Sequence, residues 1–135
     1  GRAEMLFQFR DADRATLDRM EARLKELVAE ADAAGPCALA LETLGRSEPA
    51  AMDAGVRAAL AAAAEARAPG AWVEMPSGAG HDAQYLAPLL PTGMLFVPSI
   101  GGISHHWTED TREEDIALGA QVFVDAAAAL LRDGA

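Results

Sequence analysis

Residues 77–109 constrain the fold most, because glycines and prolines divide this stretch into short elements. It reads SGAGHDAQYLAPLLPTGMLFVPSIGGISHHWTE and contains all three histidines of the chain. One glycine-rich turn precedes His81, and a second precedes His105 and His106. The continuous apolar run at 94–97 is typical of a strand that is covered on both faces. The stretch therefore predicts a buried strand with polar side chains in the loops at both of its ends.

The rest of the chain alternates strand-like and helix-like patterns. Residues 2–9 and 37–44 are predicted to be strands on either side of a helix, and residues 45–49 (GRSEP) form the best linker candidate. We expect a domain boundary there. After it, a helix over 52–67, a short strand at 71–75 and a long terminal helix predict an α/β layer.

Composition and charge exclude several classes of function. The formal charge of −10 and the pI of about 4.6 disfavour binding to nucleic acid or to an anionic membrane surface. A single cysteine, Cys37, permits no internal disulfide and favours a cytoplasmic location. The chain begins inside a strand-like alternation without an initiator methionine, so we expect it to be part of a longer protein.

The two histidine turns have both functional and structural interpretations. Glycines before His81 would let backbone N–H groups approach a bound anion or carbonyl, but the imidazole could equally cap the turn. Asp82 could orient that imidazole or cap the following helix. In the second turn, a loop could present His105 to a metal while Glu109 holds its second ring nitrogen, and a surface histidine pair is the alternative.

Two further observations limit the chemistry. A catalytic zinc site needs about three protein ligands, and the sequence contains no Cys/His cluster or H-E-x-x-H spacing to supply them. Arg10, at the end of an apolar strand pattern, could bind a carboxylate with its bidentate fork. The alternative is a surface arginine paired with Asp11 or Asp13.

The segments S-G-A-G-H-D, P-T-G-M-L-F-V-P-S and G-I-S-H-H-W-T-E resemble the C-terminal part of a family of zinc-dependent amidohydrolases. This family includes N-carbamoyl-L-amino-acid hydrolase, allantoate amidohydrolase and β-ureidopropionase. His81 and His105 lie 24 positions apart, as the family pattern requires. The N-terminal GRAEMLFQFRDAD resembles the lid strand that carries a substrate-binding arginine, although Gln8 stands where family members usually have an acidic residue.

The resemblance implies a role for each candidate residue. His105 would be a ligand of a two-metal site that holds zinc or another divalent transition metal, whereas His106 would have no such role. His81, with the backbone of Gly80, would contact the substrate or the tetrahedral intermediate. Arg10 would bind the substrate carboxylate, in the active site of the partner subunit of a homodimer formed through the lid.

The resemblance also implies a fold and an activity. Residues 1–46 would be part of a strand-helix-strand lid and dimerisation domain, and residues 47–135 the C-terminal portion of the catalytic α/β domain of a two-domain metallohydrolase. The parent enzyme would hydrolyse N-carbamoyl amino acids or related ureido compounds such as allantoate, and this chain alone would be inactive. The alternatives are a zinc peptidase or aminoacylase of the same superfamily, and a non-catalytic dimerisation or binding module.

Overall fold

The computed structural model describes residues 1–133, which form two compact units. One unit comprises Gly1–Ala50 with Pro76–Gly80, and the other comprises Ala51–Met75 with the chain from His81 onward. The described residues contain four α-helices and one short 3₁₀ helix. These are α1 (Arg14–Ala34), α2 (Ala54–Arg67), α3 (Asp82–Leu86), the 3₁₀ helix (Ile100–Gly102) and α4 (Glu113–Asp133).

The first unit is built on α1. Its N-terminus is capped by Asp13, whose carboxylate accepts hydrogen bonds from the backbone N–H groups of Ala15 and Thr16 at 3.0 and 3.2 Å. These bonds and the Thr16 hydroxyl lower the pKa of Asp13. Arg46, in the segment proposed as a linker, pairs with Asp18 and Glu21 of α1, so this segment is held against the helix.

The core of the second unit lies between α2 and α4. Its buried side chains are small, because three of the four are alanines: Ala63, Ala64, Val122 and Ala126. Small side chains let the two helices approach closely. At the edge of this interface, Arg67 donates two hydrogen bonds to the carboxylate of Asp125 at 2.6 and 3.1 Å.

Two contacts fix the segments around this helix pair. Glu65 of α2 accepts hydrogen bonds from the Trp72 indole N–H at 2.6 Å and from the Gly70 backbone N–H at 3.2 Å. Gly119 of α4 lies so close to Val97 that a Cβ added at Gly119 would overlap the valine Cγ1. The apolar run that precedes the second histidine turn is therefore in direct contact with α4.

The predicted strands are not confirmed. Segments 2–9, 37–44, 71–75 and 94–97 run as non-helical chain, and residues 1–133 contain no β-strand. A strand requires a neighbouring segment that exchanges backbone hydrogen bonds with it, and no two of these segments pair with each other. Their apolar side chains are correspondingly exposed, as at Leu6 (83%) and Val73 (73%).

In the described part of the chain, only the helices of the predicted α/β layer and of the predicted strand-helix-strand lid are therefore present. The assignment of residues 1–46 and 47–135 to two domains stays a prediction. Across the described chain, every helix is too short or too polar to cross a lipid bilayer.

Candidate active-site residues

Arg10 is held by neutral groups in the first unit. Its Nη1 donates to the backbone carbonyl of Gly78 at 2.5 Å, and its Nη2 donates to Oε1 of Gln8 at 2.9 Å. The carboxylate of Asp11 instead accepts from the backbone N–H of Asp13, and Asp13 caps α1. Arg10 thus forms no ion pair with residues 1–133, and its positive charge remains available to a bound anion.

Only one of these two partners could have been inferred from the sequence. Gln8 lies two positions before Arg10, where strand alternation places side chains on the same face, so this contact could have been inferred from spacing. The contact with Gly78 joins positions 68 residues apart, and no local pattern predicts it.

His81 is the N-cap residue of α3. Its backbone is extended, with φ of −148° and ψ of 148°, and its ring Nδ1 accepts a hydrogen bond from the backbone N–H of Ala83 at 3.0 Å. The side chain of Phe96 lies at 6.4 Å between ring centroids and at 78° to the imidazole, an edge-to-face arrangement. The structural interpretation of His81, a cap, is thus realised, while the imidazole itself remains exposed.

Asp82 occupies the first position of α3, next to that cap. A carboxylate in the first turn of a helix interacts favourably with the backbone N–H groups there. In the described residues, its side chain makes no hydrogen bond to the His81 ring, whose Nδ1 accepts from the Ala83 N–H. The preceding residue, Gly80, is exposed and has open space around its α-carbon.

His105 has a left-handed backbone, with φ of 55°. Its backbone N–H donates to Oε2 of Glu109 at 2.7 Å, and the backbone N–H of Glu109 in turn donates to the carbonyl of His106 at 2.9 Å. Glu109 therefore binds the main chain of His105. The sequence had suggested a different contact, in which Glu109 holds the second ring nitrogen of His105. His105 is exposed, and its ring makes no hydrogen bond to any described residue.

His106 is engaged locally. Its Nδ1 lies 2.8 Å from the hydroxyl of Thr108 and accepts from the Thr108 backbone N–H at 3.3 Å. Its ring is also 5.6 Å from that of Trp107, measured between centroids. The two adjacent histidines thus differ. The ring of His106 is bound within its own turn, whereas the ring of His105 is not.

The described residues do not supply a complete metal site. No group of three or more His, Cys, Asp or Glu side chains in residues 1–133 could hold a metal ion. His105 fits as a single ligand, because the residue is exposed and its backbone is fixed by Glu109. A zinc site of about three protein ligands would need the others from residues outside this set.

Comparisons with known proteins give the family. The model of peptidase family M20/M25/M40 matches residues 13–129. The N-carbamoyl-L-amino-acid amidohydrolase of Rhizobium meliloti is 34% identical over 131 residues, which cover 93% of this chain and 30% of that protein. A probable allantoate deiminase of Oryza sativa subsp. japonica is 40% identical over 131 residues, covering 86% of this chain and 25% of the plant protein.

A solved structure agrees with these relatives. The crystal structure of an amidase of the hydantoinase/carbamoylase family from Burkholderia phymatum matches with a TM-score of 0.80 and 44% identity, over 89% of this chain and 28% of that one. The chain thus spans less than a third of the length of these proteins. With a family model that covers most of its residues, the chain belongs to peptidase family M20/M25/M40 and is similar to amidohydrolases named for carbamoyl amino acids and allantoate.

Proposed function

We propose that this chain is the C-terminal part of a metal-dependent amidohydrolase that cleaves linear C–N bonds of N-carbamoyl amino acids or related ureido compounds such as allantoate. The observation that carries the proposal is the similarity to the Rhizobium meliloti amidohydrolase along 93% of this chain. The exposed guanidinium of Arg10, which is bound by neutral groups and forms no ion pair with residues 1–133, agrees with it, because such substrates carry a carboxylate.

Arg10 would bind that carboxylate, in the active site of the partner subunit of a homodimer. The bonds to Gly78 and Gln8 use donors on both terminal nitrogens, so they hold the fork in one orientation without neutralising it. A pre-positioned guanidinium loses less conformational freedom when it binds. Exposed apolar side chains of the first unit, Met5 at 78% and Leu6 at 83%, agree with its use as a dimer contact.

His81 and the backbone of Gly80 would contact the substrate at the scissile group. An exposed imidazole on a fixed helix cap can present a hydrogen-bond donor to a carbonyl or to the oxyanion that develops from it. The absence of a side chain at Gly80 leaves room for a ligand to approach the main chain.

His105 would contribute one ligand to a site for zinc or another divalent transition metal, and the other ligands would come from outside the described residues. When bound, such ions polarise the substrate carbonyl and lower the pKa of a coordinated water. The part of Glu109 is to fix the backbone that presents the His105 ring. We also propose a cytoplasmic location, which agrees with the free and exposed thiol of Cys37.

The test is an assay of the complete gene product, loaded with zinc, manganese or cobalt, on N-carbamoyl-L-amino acids, allantoate, N-acetyl amino acids and dipeptides. We expect turnover of the ureido substrates and little of the others. The second candidate, a peptidase or aminoacylase, has support in the name of the family itself. Turnover confined to dipeptides or N-acetyl amino acids would replace the first proposal with this one.

A parallel assay tests the present chain alone. It should show no turnover and no stoichiometric metal after dialysis, because its described residues bring no three candidate ligands together and about three are needed. Activity of the 135-residue chain by itself would contradict this part of the proposal. A complete gene product that dimerises but turns over no amide or ureido substrate would favour a non-catalytic module.

A further inference from the structure

One face of α1 carries a stripe of four charged side chains, Arg14, Asp18, Glu21 and Lys25. Residues three and four apart are neighbours on a helix surface, so these four share one face. Within the stripe, Nε of Arg14 lies 3.0 Å from Oδ1 of Asp18, and Nζ of Lys25 lies 2.5 Å from Oε1 of Glu21. The charged stripe therefore has a cation at each end and two carboxylates at its centre.

The GRSEP segment lies along this stripe with complementary charges. Its cation, Arg46, pairs with both central carboxylates, Asp18 and Glu21, the latter at 3.0 Å between Nη1 and Oε2. Its anion, Glu48, pairs with Arg14 at the N-terminal end of the stripe. The order of charges along the segment thus matches the order on the helix, and the segment runs antiparallel to α1.

Four of these side chains form a closed ring of ion pairs. Arg14 contacts Asp18, Asp18 contacts Arg46, Nε of Arg46 lies 3.9 Å from Oε1 of Glu48, and Glu48 returns to Arg14. Each guanidinium meets at least two carboxylates and each carboxylate meets two guanidinium groups. Networks of this kind contribute to structure where an isolated surface pair contributes little.

The ring is nevertheless open to solvent. Its four side chains are between 41% and 61% exposed. Among the described residues, no backbone–backbone hydrogen bond joins the GRSEP segment to the rest of the chain. The attachment of the segment to α1 therefore depends on charge attraction that dissolved ions can reach.

We infer that the GRSEP segment is an ionic strap, attached to α1 at low ionic strength and released from it as the salt concentration rises. The distance over which exposed charges act falls from about 30 Å at 0.01 M salt to about 3 Å at 1 M. Release frees the last residues of the first unit before Ala51. This inference does not depend on the proposed function.

Trypsin reports the release of the strap directly. It cleaves after Arg46 only when the guanidinium leaves its carboxylates and enters the acidic specificity pocket of the protease. We expect cleavage between Arg46 and Ser47 in the complete gene product to become roughly 3- to 10-fold faster between about 0.02 M and about 0.5 M sodium chloride, as for the loss of one or two exposed ion pairs. Mass spectrometry identifies the cleaved bond, and the rate is normalised to that of a short arginine peptide.

A double variant tests whether the charged stripe is responsible. Asp18→Asn with Glu21→Gln removes both central charges with little change of shape and leaves Arg46 in place. This variant should be cleaved at low salt as fast as the wild type at high salt, with little further effect of salt. The matched control is Glu26→Gln, since Glu26 also lies on α1 but pairs with Arg23, outside the stripe. Its cleavage should follow that of the wild type.

Hydrogen exchange of the Ser47 and Glu48 amides in the wild type gives a second measurement that needs no variant to fold. Exchange should become severalfold faster over the same range of salt, while the circular dichroism of the helices stays constant. Equal normalised cleavage and equal exchange at the two salt concentrations would overturn the inference. A folded double variant that keeps the wild-type salt dependence would overturn it as well.

Discussion

The backbone N–H of His105 donates to the carboxylate of Glu109 at 2.7 Å, and His105 adopts a φ of 55°. A non-glycine residue in the left-handed region costs about 1–3 kcal/mol and persists only where surrounding contacts impose it. Histidine is among the residues enriched in this conformation. The carboxylate four residues away supplies such a contact, so Glu109 fixes the direction in which the imidazole leaves the chain.

Replacing Glu109 tests this relationship. Glu109→Ala removes the acceptor, and the amide of His105 should exchange with solvent severalfold faster. Glu109→Gln retains a carbonyl oxygen at the same reach and should exchange at a rate closer to that of the wild type. Hydrogen exchange followed by NMR measures both. Equal rates in Glu109→Ala and the wild type would mean that the bond contributes nothing to the turn.

The assignment of His105 as a ligand predicts a difference between the two adjacent histidines. In the complete gene product, His105→Ala should lower the bound metal measured by elemental analysis after dialysis, because one ligand is lost. His106→Ala should not, since the ring of His106 is engaged with Thr108. Equal metal content in His105→Ala and the wild type would rule out the assignment.

Arg10→Ala should weaken binding of carboxylate substrates with a smaller effect on the chemical step. Hydrogen bonds to charged groups contribute about 1.5–3 kcal/mol, so KM should rise roughly 10- to 100-fold while kcat changes less. Arg10→Lys keeps the positive charge but cannot form two parallel hydrogen bonds to a carboxylate. Its KM should therefore lie between the KM values of the wild type and Arg10→Ala. Arg2→Ala is the control, because Arg2 is exposed and paired with Glu4. An unchanged KM in Arg10→Ala would remove Arg10 from the site.

Glu65 makes stability depend on pH in the acid range. Its hydrogen bond from Trp72, followed by that from Gly70, lowers its pKa in the folded protein. The stabilisation is therefore complete above the ordinary glutamate pKa of about 4.3 and is lost as the pH falls through the lower folded value. Glu65→Gln cannot titrate, so its melting temperature, measured by circular dichroism, should fall less than that of the wild type between pH 6 and pH 3.

A second variant checks the cause of this pH dependence. Trp72→Phe removes the indole donor, so the pKa of Glu65 should rise toward its ordinary value and the acid-induced loss of stability should shrink. If the melting temperatures of the wild type, Glu65→Gln and Trp72→Phe fall in parallel on acidification, the bond to Trp72 is not responsible.

Gly119→Ala should destabilise the fold even though it places a better helix former in α4. Alanine is favoured over glycine in a helix by about 1 kcal/mol, whereas overlap with a stiff valine in a packed contact costs typically about 1–3 kcal/mol. In a Val97→Ala background the overlap is absent, so the same substitution should stabilise the protein. Chemical unfolding of the wild type, Gly119→Ala, Val97→Ala and the double variant measures the free energy of unfolding of each protein. An equal effect of Gly119→Ala in the two backgrounds would contradict the contact between Gly119 and Val97.

The sequence predicted the helices well and the strands poorly, for a physical reason. A helix satisfies its backbone hydrogen bonds within one segment, so the spacing of apolar residues and the cap at Asp13 are enough to locate α1. A strand depends on another segment, and residues 2–9 and 37–44 find no such partner in the described chain. The alternation of apolar and polar residues indicates that a segment favours a strand, but it does not indicate whether another segment is present to pair with it.

The candidate site residues could likewise be predicted from the sequence only in part. Spacing and resemblance selected His81, His105 and Arg10, and the local contacts of each could be only partly anticipated. The cap formed by His81 was one of the two interpretations that its sequence context allowed, whereas the bond from Arg10 to Gly78 depends on a tertiary contact. The role of Glu109 at the backbone of His105 required the φ angle, which no residue pattern reveals.

The alanine-lined contact between α2 and α4 has a consequence for how this protein can change over generations. Ala63, Ala64 and Ala126 carry the smallest side chain that still favours a helix, so nearly every substitution there adds volume and almost none removes it. Relief by trimming a neighbour is limited as well, because among the residues packed there only Val122, Leu60 and Leu118 carry side chains larger than alanine. Sequence drift in relatives of this chain should therefore collect on the outward faces of the two helices, while the line of contact between them stays nearly frozen.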